Sequence, residues 1–248
     1  MNMHARYLQQ ATWTRDLRAY LFAQAGWVSA RRILEVGCGT GAVLRIPIAN
    51  EGSSADEPLL LGVDRSSDAL ADCRIHAPSA LLTCADMLAL PFPAGSFEIT
   101  YCHFALLWLK DPLAGLREMK RVTRGHVLAL AEPDYSARVD QPPELVALGQ
   151  LQTPALRAQG ADVSLGSRLA DLFREAGIRI REAGVINPWP RDALTPTDLE
   201  AEWLVLQQDL ADMLPAADLE RLRRLDVAAH QRGERVLHVP TYYAWGQV

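Results

Sequence analysis

The stretch Ile33-Leu34-Glu35-Val36-Gly37-Cys38-Gly39-Thr40-Gly41 limits what this chain can fold into more than any other. Ile33 to Val36 has the character of a short buried strand. Three glycines then alternate, and Ala42-Val43-Leu44 resumes an apolar pattern. The order is strand, tight turn, helix. Glycine is required where the backbone takes positive φ or where a ligand must touch the main chain. At the carboxyl end of a first strand, such a turn is where open α/β sheets bind nucleotides. Alone the glycine pattern is a weak signal, and the acid before it and the rest of the chain decide its meaning.

Upstream, residues 5–29 read as one helix, with Leu8, Ala11, Trp13, Leu17, Tyr20, Leu21 and Val28 at roughly helical spacing. This helix precedes the first strand and can lie across the sheet's carboxyl edge, with Tyr7 and Trp13 as packing residues. After the glycines a helix is expected to about Ile46, ended by Pro47, then a polar loop over 50–58. Leu59 to Val63 is a second strand ending in Asp64, followed by a helix from Ser67 to His76 capped by Ser66 or Ser67. Leu81 to Ala85 is a third strand ending in Asp86, and Phe97 to Cys102 a fourth, leading to His103-Phe104. A helix over 112–122 precedes a fifth strand, Val127 to Ala131, which ends in Glu132-Pro133-Asp134-Tyr135. Strands alternating with helices imply a parallel sheet with helices on both faces.

The second half is less regular. Helices are expected over 143–159 and 166–176, a sixth strand over 178–186, helices over 197–213 and 217–231, and a final strand over 235–245. Residues 187–234 exceed any simple connection between two strands and read as a lid or partner surface, with Trp189, Trp203, Leu204 and Leu206 as an apolar wall. The 248 residues are read as a single domain.

Net charge is −5, which disfavours a nucleic-acid partner. Cys38, Cys73, Cys84 and Cys102 lack paired metal spacing, so no metal is expected and reduced thiols in a cytoplasmic protein fit best. Residues 1–11 are polar, unlike a signal peptide, and no apolar run approaches the roughly 20 residues of a membrane span.

Two acids carry the chemistry. Asp64 follows Gly37 by 27 residues, the 50–58 insertion accounting for the delay, and stands where dinucleotide folds accept hydrogen bonds from ribose hydroxyls. It could also simply cap the next helix. Asp86, at the same edge, could accept from an adenine amine with Met87 beside the ring, or serve as a plain N-cap.

These residues resemble the class I S-adenosylmethionine-dependent methyltransferases. Glu35 to Gly41 matches the family's first motif and Leu61-Gly62-Val63-Asp64 its second. Cys84 to Met87, Leu90-Pro91-Phe92 and Ser96-Phe97-Glu98 match the stretch that flanks adenine, and Leu116 to Thr123 the helix before strand five. The likeness covers roughly 30–135 and is nearest to the ubiquinone-biosynthesis-like branch with small-molecule substrates. One departure is Arg124-Gly125-His126, where the family usually has Pro-Gly-Gly.

The resemblance implies a Rossmann-like α/β fold: a seven-stranded, mostly parallel sheet with the last strand antiparallel and extra helices between strands six and seven. It implies S-adenosylmethionine as cofactor. Gly37, Cys38, Gly39 and Gly41 would lie along its methionine part, with Glu35 orienting the loop or reaching the amino group through water. Asp64 with Arg65 would meet the ribose, and Asp86 with Met87 the adenine. Cys102 and His103 would line the methionine end. The acceptor would be a small organic molecule, with no partner beyond it except a second copy of the chain in a homodimer. No catalytic constellation is evident; His103 and Tyr135, then Glu132 and Asp134, are the candidate bases. A nicotinamide-dependent dehydrogenase is disfavoured because Gly41 follows Gly39 by two residues, not three. A cofactor-binding relative without turnover is the other alternative.

Overall fold

A computed structural model describes residues 3–44, 58–186 and 195–248. In chain order the regular elements begin with helices α1 (Met3–Trp13) and α2 (Arg15–Gln24), then strands β1 (Arg32–Val36) and β2 (Leu59–Asp64). Next come α3 (Ser67–His76), β3 (Leu81–Cys84), β4 (Phe97–Cys102), α4 (Pro112–Val122), β5 (Thr123–Pro133) and β6 (Val139–Gln141). The chain closes with α5 (Val146–Ala158), α6 (Leu165–Glu175), β7 (Arg179–Ile186), α7 (Pro196–Leu210), α8 (Ala216–Gln231), β8 (Val236–His238) and β9 (Thr241–Gln247).

Seven strands form one sheet in the order β3-β2-β1-β4-β5-β9-β7. β1 to β5 pair in parallel, and β9 runs antiparallel to both β5 and β7. The chain steps outward from β1 to β3, then returns to β4 on the other side, so the order reverses between β1 and β4. A crevice at the carboxyl ends of such strands is where open α/β sheets take ligands. Register places Val36 opposite Val63, and Asp64 opposite Cys84, so the ends of β1, β2 and β3 share one edge.

Each face of the sheet has its own core. Leu34, Val36, Leu116, Met119, Leu169 and Phe173 pack on one side with α4 and α6. Ile33, Tyr101, Leu128 and Leu130 pack on the other against Leu21, Phe22 and Trp27. A third core belongs to the helical half: Leu145, Leu148, Trp203, Leu206, Leu210 and Leu222 join α5, α7 and α8.

Several expectations are corrected. The helix expected over 5–29 is two helices, interrupted at Thr14, and the second gives way at Gly26 (φ 77°) to a 3₁₀ turn over Trp27–Ser29. Residues 42–44 form turns, not a helix; residues 45–57, with the rest of that expected helix and nearly all of the 50–58 loop, lie outside the described residues. Trp189 lies outside them too. The expected final strand is two pieces: β8 pairs with the unanticipated β6, and β9 alone enters the main sheet. Val239-Pro240 divides them, and the Pro240 carbonyl is taken by the Asp134 amide at 2.7 Å.

The departure at Arg124-Gly125-His126 also has a structural result. α4 passes into β5 without a loop, and the β4–β5 register shifts between Phe97 and Ile99. A side chain at Gly125 would collide with the Glu98 carbonyl, so glycine alone permits this bulge.

Candidate functional site

The glycine turn leaves β1 with all three glycines in the left-handed region, at φ 73° (Gly37), 51° (Gly39) and 80° (Gly41). Only glycine adopts this conformation routinely. A Cβ at Gly37 would come within 2.8 Å of the Ala105 Cβ, so the turn is pressed against the loop after β4. The amides of Gly37 and Cys38 both donate to the Val63 carbonyl, at 2.8 and 3.0 Å, which folds the turn back onto β2.

Asp64 completes this fastening. One carboxylate oxygen accepts from the Gly39 amide at 2.8 Å, the other from Ser66 at 2.9 Å. Ser66 in turn caps α3, its hydroxyl accepting from the Ala69 amide. A carboxylate offers roughly four lone-pair sites, so about half of Asp64's capacity remains for a ligand. Asp86 is exposed, two residues beyond the strand end that pairs with Asp64, and accepts from the Leu88 amide at 2.9 Å. Met87 is buried, its side chain packed in the main core near Gly115 and not along the open edge. Arg65 is exposed, and its carbonyl accepts from the Cys84 thiol.

Glu35 lies beneath the turn, 2% exposed, and accepts a hydrogen bond from the Tyr101 hydroxyl at 3.1 Å. Burial pushes its carboxyl well above the usual range, partly offset by Tyr101 and the nearby Arg18 guanidinium. Arg18, from α2, is itself buried and donates to the Ala11 carbonyl and the Thr14 hydroxyl. Thr14 shares a hydrogen bond with His103 Nε2 at 3.0 Å. Desolvation, helped by the Arg18 charge, lowers the His103 imidazole to about 3. A base works best with a pKa near the working pH, so His103 is neutral and too weakly basic for that task.

The other candidate bases are committed elsewhere. Glu132 is fully buried, accepting from the amides of Ala105 (3.1 Å), Leu106 (3.0 Å) and Leu107 (3.2 Å). Burial raises its carboxyl to about 7 against the pull of those amides. The clamp shapes the loop after β4, where Phe104 is the one non-glycine residue at positive φ (53°) among those described. Cys102 points into this core, its thiol donating to Glu132, instead of lining an open edge. Asp134 is buried and caps the turn Tyr135–Ala137 through Ser136; burial would raise its carboxyl, but the hydrogen bonds of Ser136 and Ser167 hold it below the ordinary range. Burial raises the Tyr135 phenol above its usual value, so it stays protonated at neutral pH.

α1 roofs the edge, as its position in the chain suggested. His4 Nδ1 meets the Thr40 hydroxyl at 2.8 Å, and its ring stacks on His76 with centroids 3.4 Å apart. The Tyr7 ring lies over Gly39, 3.7 Å from where a Cβ would stand, and burial and the Asp64 carboxylate raise its phenol. On its outer side α1 is held to α7: Arg6 pairs with Glu202, and Gln9 donates to the Asp198 carbonyl at 3.2 Å. His4, Thr14, Arg18 and Thr40 escaped the sequence reading because their partners lie 36 to 89 residues away or inside a helix of unremarkable pattern.

The geometry provides a ledge of adaptable backbone flanked by two carboxylates, with a neutral imidazole at one end. Among the described residues, no cluster of three or more His, Cys, Asp or Glu side chains could hold a metal ion, and no helix is long and apolar enough to cross a membrane.

The family described as "Methyltransferase domain" matches residues 34–130. The O-methyltransferase resE of Aspergillus sclerotiorum is 30% identical over 207 residues, covering 81% of this chain and 72% of that protein. A trans-aconitate 2-methyltransferase of Afipia carboxidovorans is 29% identical over 140 residues, 56% of this chain and 52% of its own length. Among solved structures, geranyl diphosphate methyltransferase in complex with S-adenosylmethionine (SAM) shares the fold at a TM-score of 0.56 and 13% identity, covering 98% of this chain and 89% of that one.

Proposed function

Because the chain belongs to the class I S-adenosylmethionine-dependent methyltransferases, we propose that it binds S-adenosylmethionine on the Gly37–Asp64–Asp86 ledge and methylates an oxygen of a small organic acceptor. The observation that carries this reading is the joint fastening of Gly39 and Asp64: a positive-φ turn whose amide and neighbouring carboxylate sit at one sheet edge, with Asp86 beside them. An oxygen acceptor is supported by the name of the Aspergillus relative.

The residues fit the cofactor. Among the described residues, chain neighbours aside, no backbone lies within 4 Å of a Cβ built on Gly39; only the Tyr7 ring does. The unspent lone pairs of Asp64 suit ribose hydroxyls, and those of Asp86 an exocyclic amine. The cofactor supplies a methyl group made electrophilic by its sulfonium. The chain's part is to hold the acceptor against that methyl and exclude water, and positioning of this kind is worth on the order of 7–11 kcal/mol. Glu132 and Asp134 are engaged by backbone, His103 is weakly basic and Tyr135 is protonated, so the acceptor arrives already nucleophilic. Tyr7 stands over the ledge, so its ring would border the bound nucleotide.

The same engagement of the edge acids would suit a protein that binds the cofactor without turning it over. Calorimetry followed by a labelled-methyl assay on cell extract separates these readings. S-adenosylhomocysteine should bind and NAD should not, and label should enter a small molecule. Tight NAD binding would overturn the cofactor assignment; cofactor binding with no transferred label would favour the non-catalytic reading.

A further inference from the structure

The short 3₁₀ turn Leu106–Trp108 follows β4 with no side chain of its own to cap it. The leading amides, those of Ala105, Leu106 and Leu107, donate instead to the carboxylate of Glu132, 25 to 27 residues further along the chain. A buried amide needs a partner, and here one buried side chain serves three. Glu132 is fixed from behind, since a Cβ at Gly166 of α6 would stand 2.6 Å from its carbonyl. Two further bonds hold the loop. The Phe104 amide donates to the Ala131 carbonyl at 2.9 Å, and the Leu107 carbonyl accepts from the Asp162 amide at 2.7 Å. So clamped, Phe104 keeps its positive φ of 53°, a conformation that persists only where the surroundings over-determine it.

The clamped loop bears on the glycine turn. A Cβ at Gly37 would lie 2.8 Å from the Ala105 Cβ, so the Ala105 methyl fills the space a side chain there would need. Beyond Gly37, the turn is fastened from the other side: the amides of Gly37 and Cys38 donate to the Val63 carbonyl, and that of Gly39 to Asp64. We propose that Glu132 is a positioning residue for the cofactor: its carboxylate holds the loop after β4, and the loop, through Ala105, holds the glycine turn in the shape that receives the methionine end. Glu132 touches neither cofactor nor acceptor in this scheme and acts only through the three amides. The effect on cofactor binding rests on the reading above; the coupling of loop to turn does not.

The test is amide hydrogen exchange on the full chain at one pH, followed residue by residue, together with S-adenosylhomocysteine affinity by calorimetry. Glu132→Gln keeps the side-chain volume but replaces one acceptor oxygen with a donor. We expect faster exchange at Ala105, Leu106 and Leu107, and also at Gly37, Cys38 and Gly39, with the amides of α8 unchanged. Affinity should be about tenfold weaker. Ala105→Gly leaves the carboxylate in place and removes the methyl: the turn amides should loosen while Leu106 and Leu107 stay protected. The double variant should bind about as weakly as Glu132→Gln alone, because both changes cut one route. Faster exchange confined to the loop would overturn the coupling, and so would additive losses in the double variant. Faster exchange at every amide alike would make Glu132 a general stabiliser and overturn its positioning role. If Glu132→Gln does not fold, Ala105→Gly decides: an unchanged turn and unchanged affinity would sink the proposal. If the wild-type chain binds no S-adenosylhomocysteine, the cofactor reading fails, while exchange at the turn still decides whether Glu132 holds it.

Discussion

At the carboxyl edge of the sheet, single carboxylates hold backbone: Asp64 takes the amides of Gly39 and Ser66, and Glu132 those of Ala105, Leu106 and Leu107. In the helical half, charged side chains hold one another. Arg138 and Arg235 both donate to Asp140, Arg235 also to Asp226, and Asp226 accepts from the Trp203 indole at 2.8 Å. Gln152 extends the network from Arg138 to Asp209. Arg138, Asp140, Arg235 and Asp226 keep no more than 5% of their side-chain surface exposed. The contrast teaches a division of labour. Carboxylates that hold backbone fix loop shape, whereas a closed ion-pair network spends its donors and acceptors on itself and fixes how helices meet strands.

The largest expected effect breaks that network. Arg235→Ala strands the carboxylates of Asp140 and Asp226 with fewer partners, a loss of about 3–5 kcal/mol for a buried pair. Denaturant unfolding should show it, and a loss below about 1 kcal/mol would mean the helical half is held by its apolar core alone.

Glu132 comes next. Its folded pKa, about 7, lies above the unfolded carboxyl value, so the native state binds the extra proton. Stability from this group is therefore full below about pH 4 and lost as pH rises through 7, to an upper bound of about 3 kcal/mol. His103 acts in the opposite sense: its depressed pKa, about 3, makes stability fall as pH drops below the ordinary histidine value. Unfolding curves across pH should flatten on the neutral side for Glu132→Gln and on the acid side for His103→Gln. Unchanged curves in both would refute the burial of these groups.

Asp64→Ala sharpens the other half of the comparison. Removing the carboxylate should weaken S-adenosylhomocysteine binding by roughly 1–3 kcal/mol in calorimetry, and an unchanged affinity would leave Asp64 only its hold on the turn. The smallest effect is expected at the latch between α1 and α7. Glu202→Gln should cost about 1 kcal/mol or less, since the Arg6–Glu202 pair keeps 13% and 15% of its side-chain surface in solvent. The same change should speed hydrogen exchange in α1, and unchanged exchange would show the helix to be held by the glycine turn alone.

Much of the ledge was legible because its chemistry is local in sequence. Gly37, Gly39 and Gly41 declare their backbone by being glycine, and Asp64 and Asp86 announce themselves by ending apolar strands. The pairing of β8 with β6 was not legible. β6 has three residues, too few for any periodicity, and Arg235 ties the pair by reaching back to Asp140 and the Gln141 carbonyl. Glu132 read as a candidate base because its three amide partners lie 25 to 27 residues upstream and carry no side-chain signal. His103 was a reasonable base until Arg18 and Thr14, on a helix whose break the spacing concealed, were found against it.

By itself, then, the sequence determined the order of strands and helices, the turn that needs three glycines, and the carboxylates at strand ends. Those features depend on neighbours one to four residues away, within reach of backbone geometry and hydrophobic period. Only the tertiary structure decided which acids are spent on backbone and which imidazole is stripped of its basicity. Desolvation and hydrogen bonding depend on what packs against a group, and a linear chain does not state its neighbours in space.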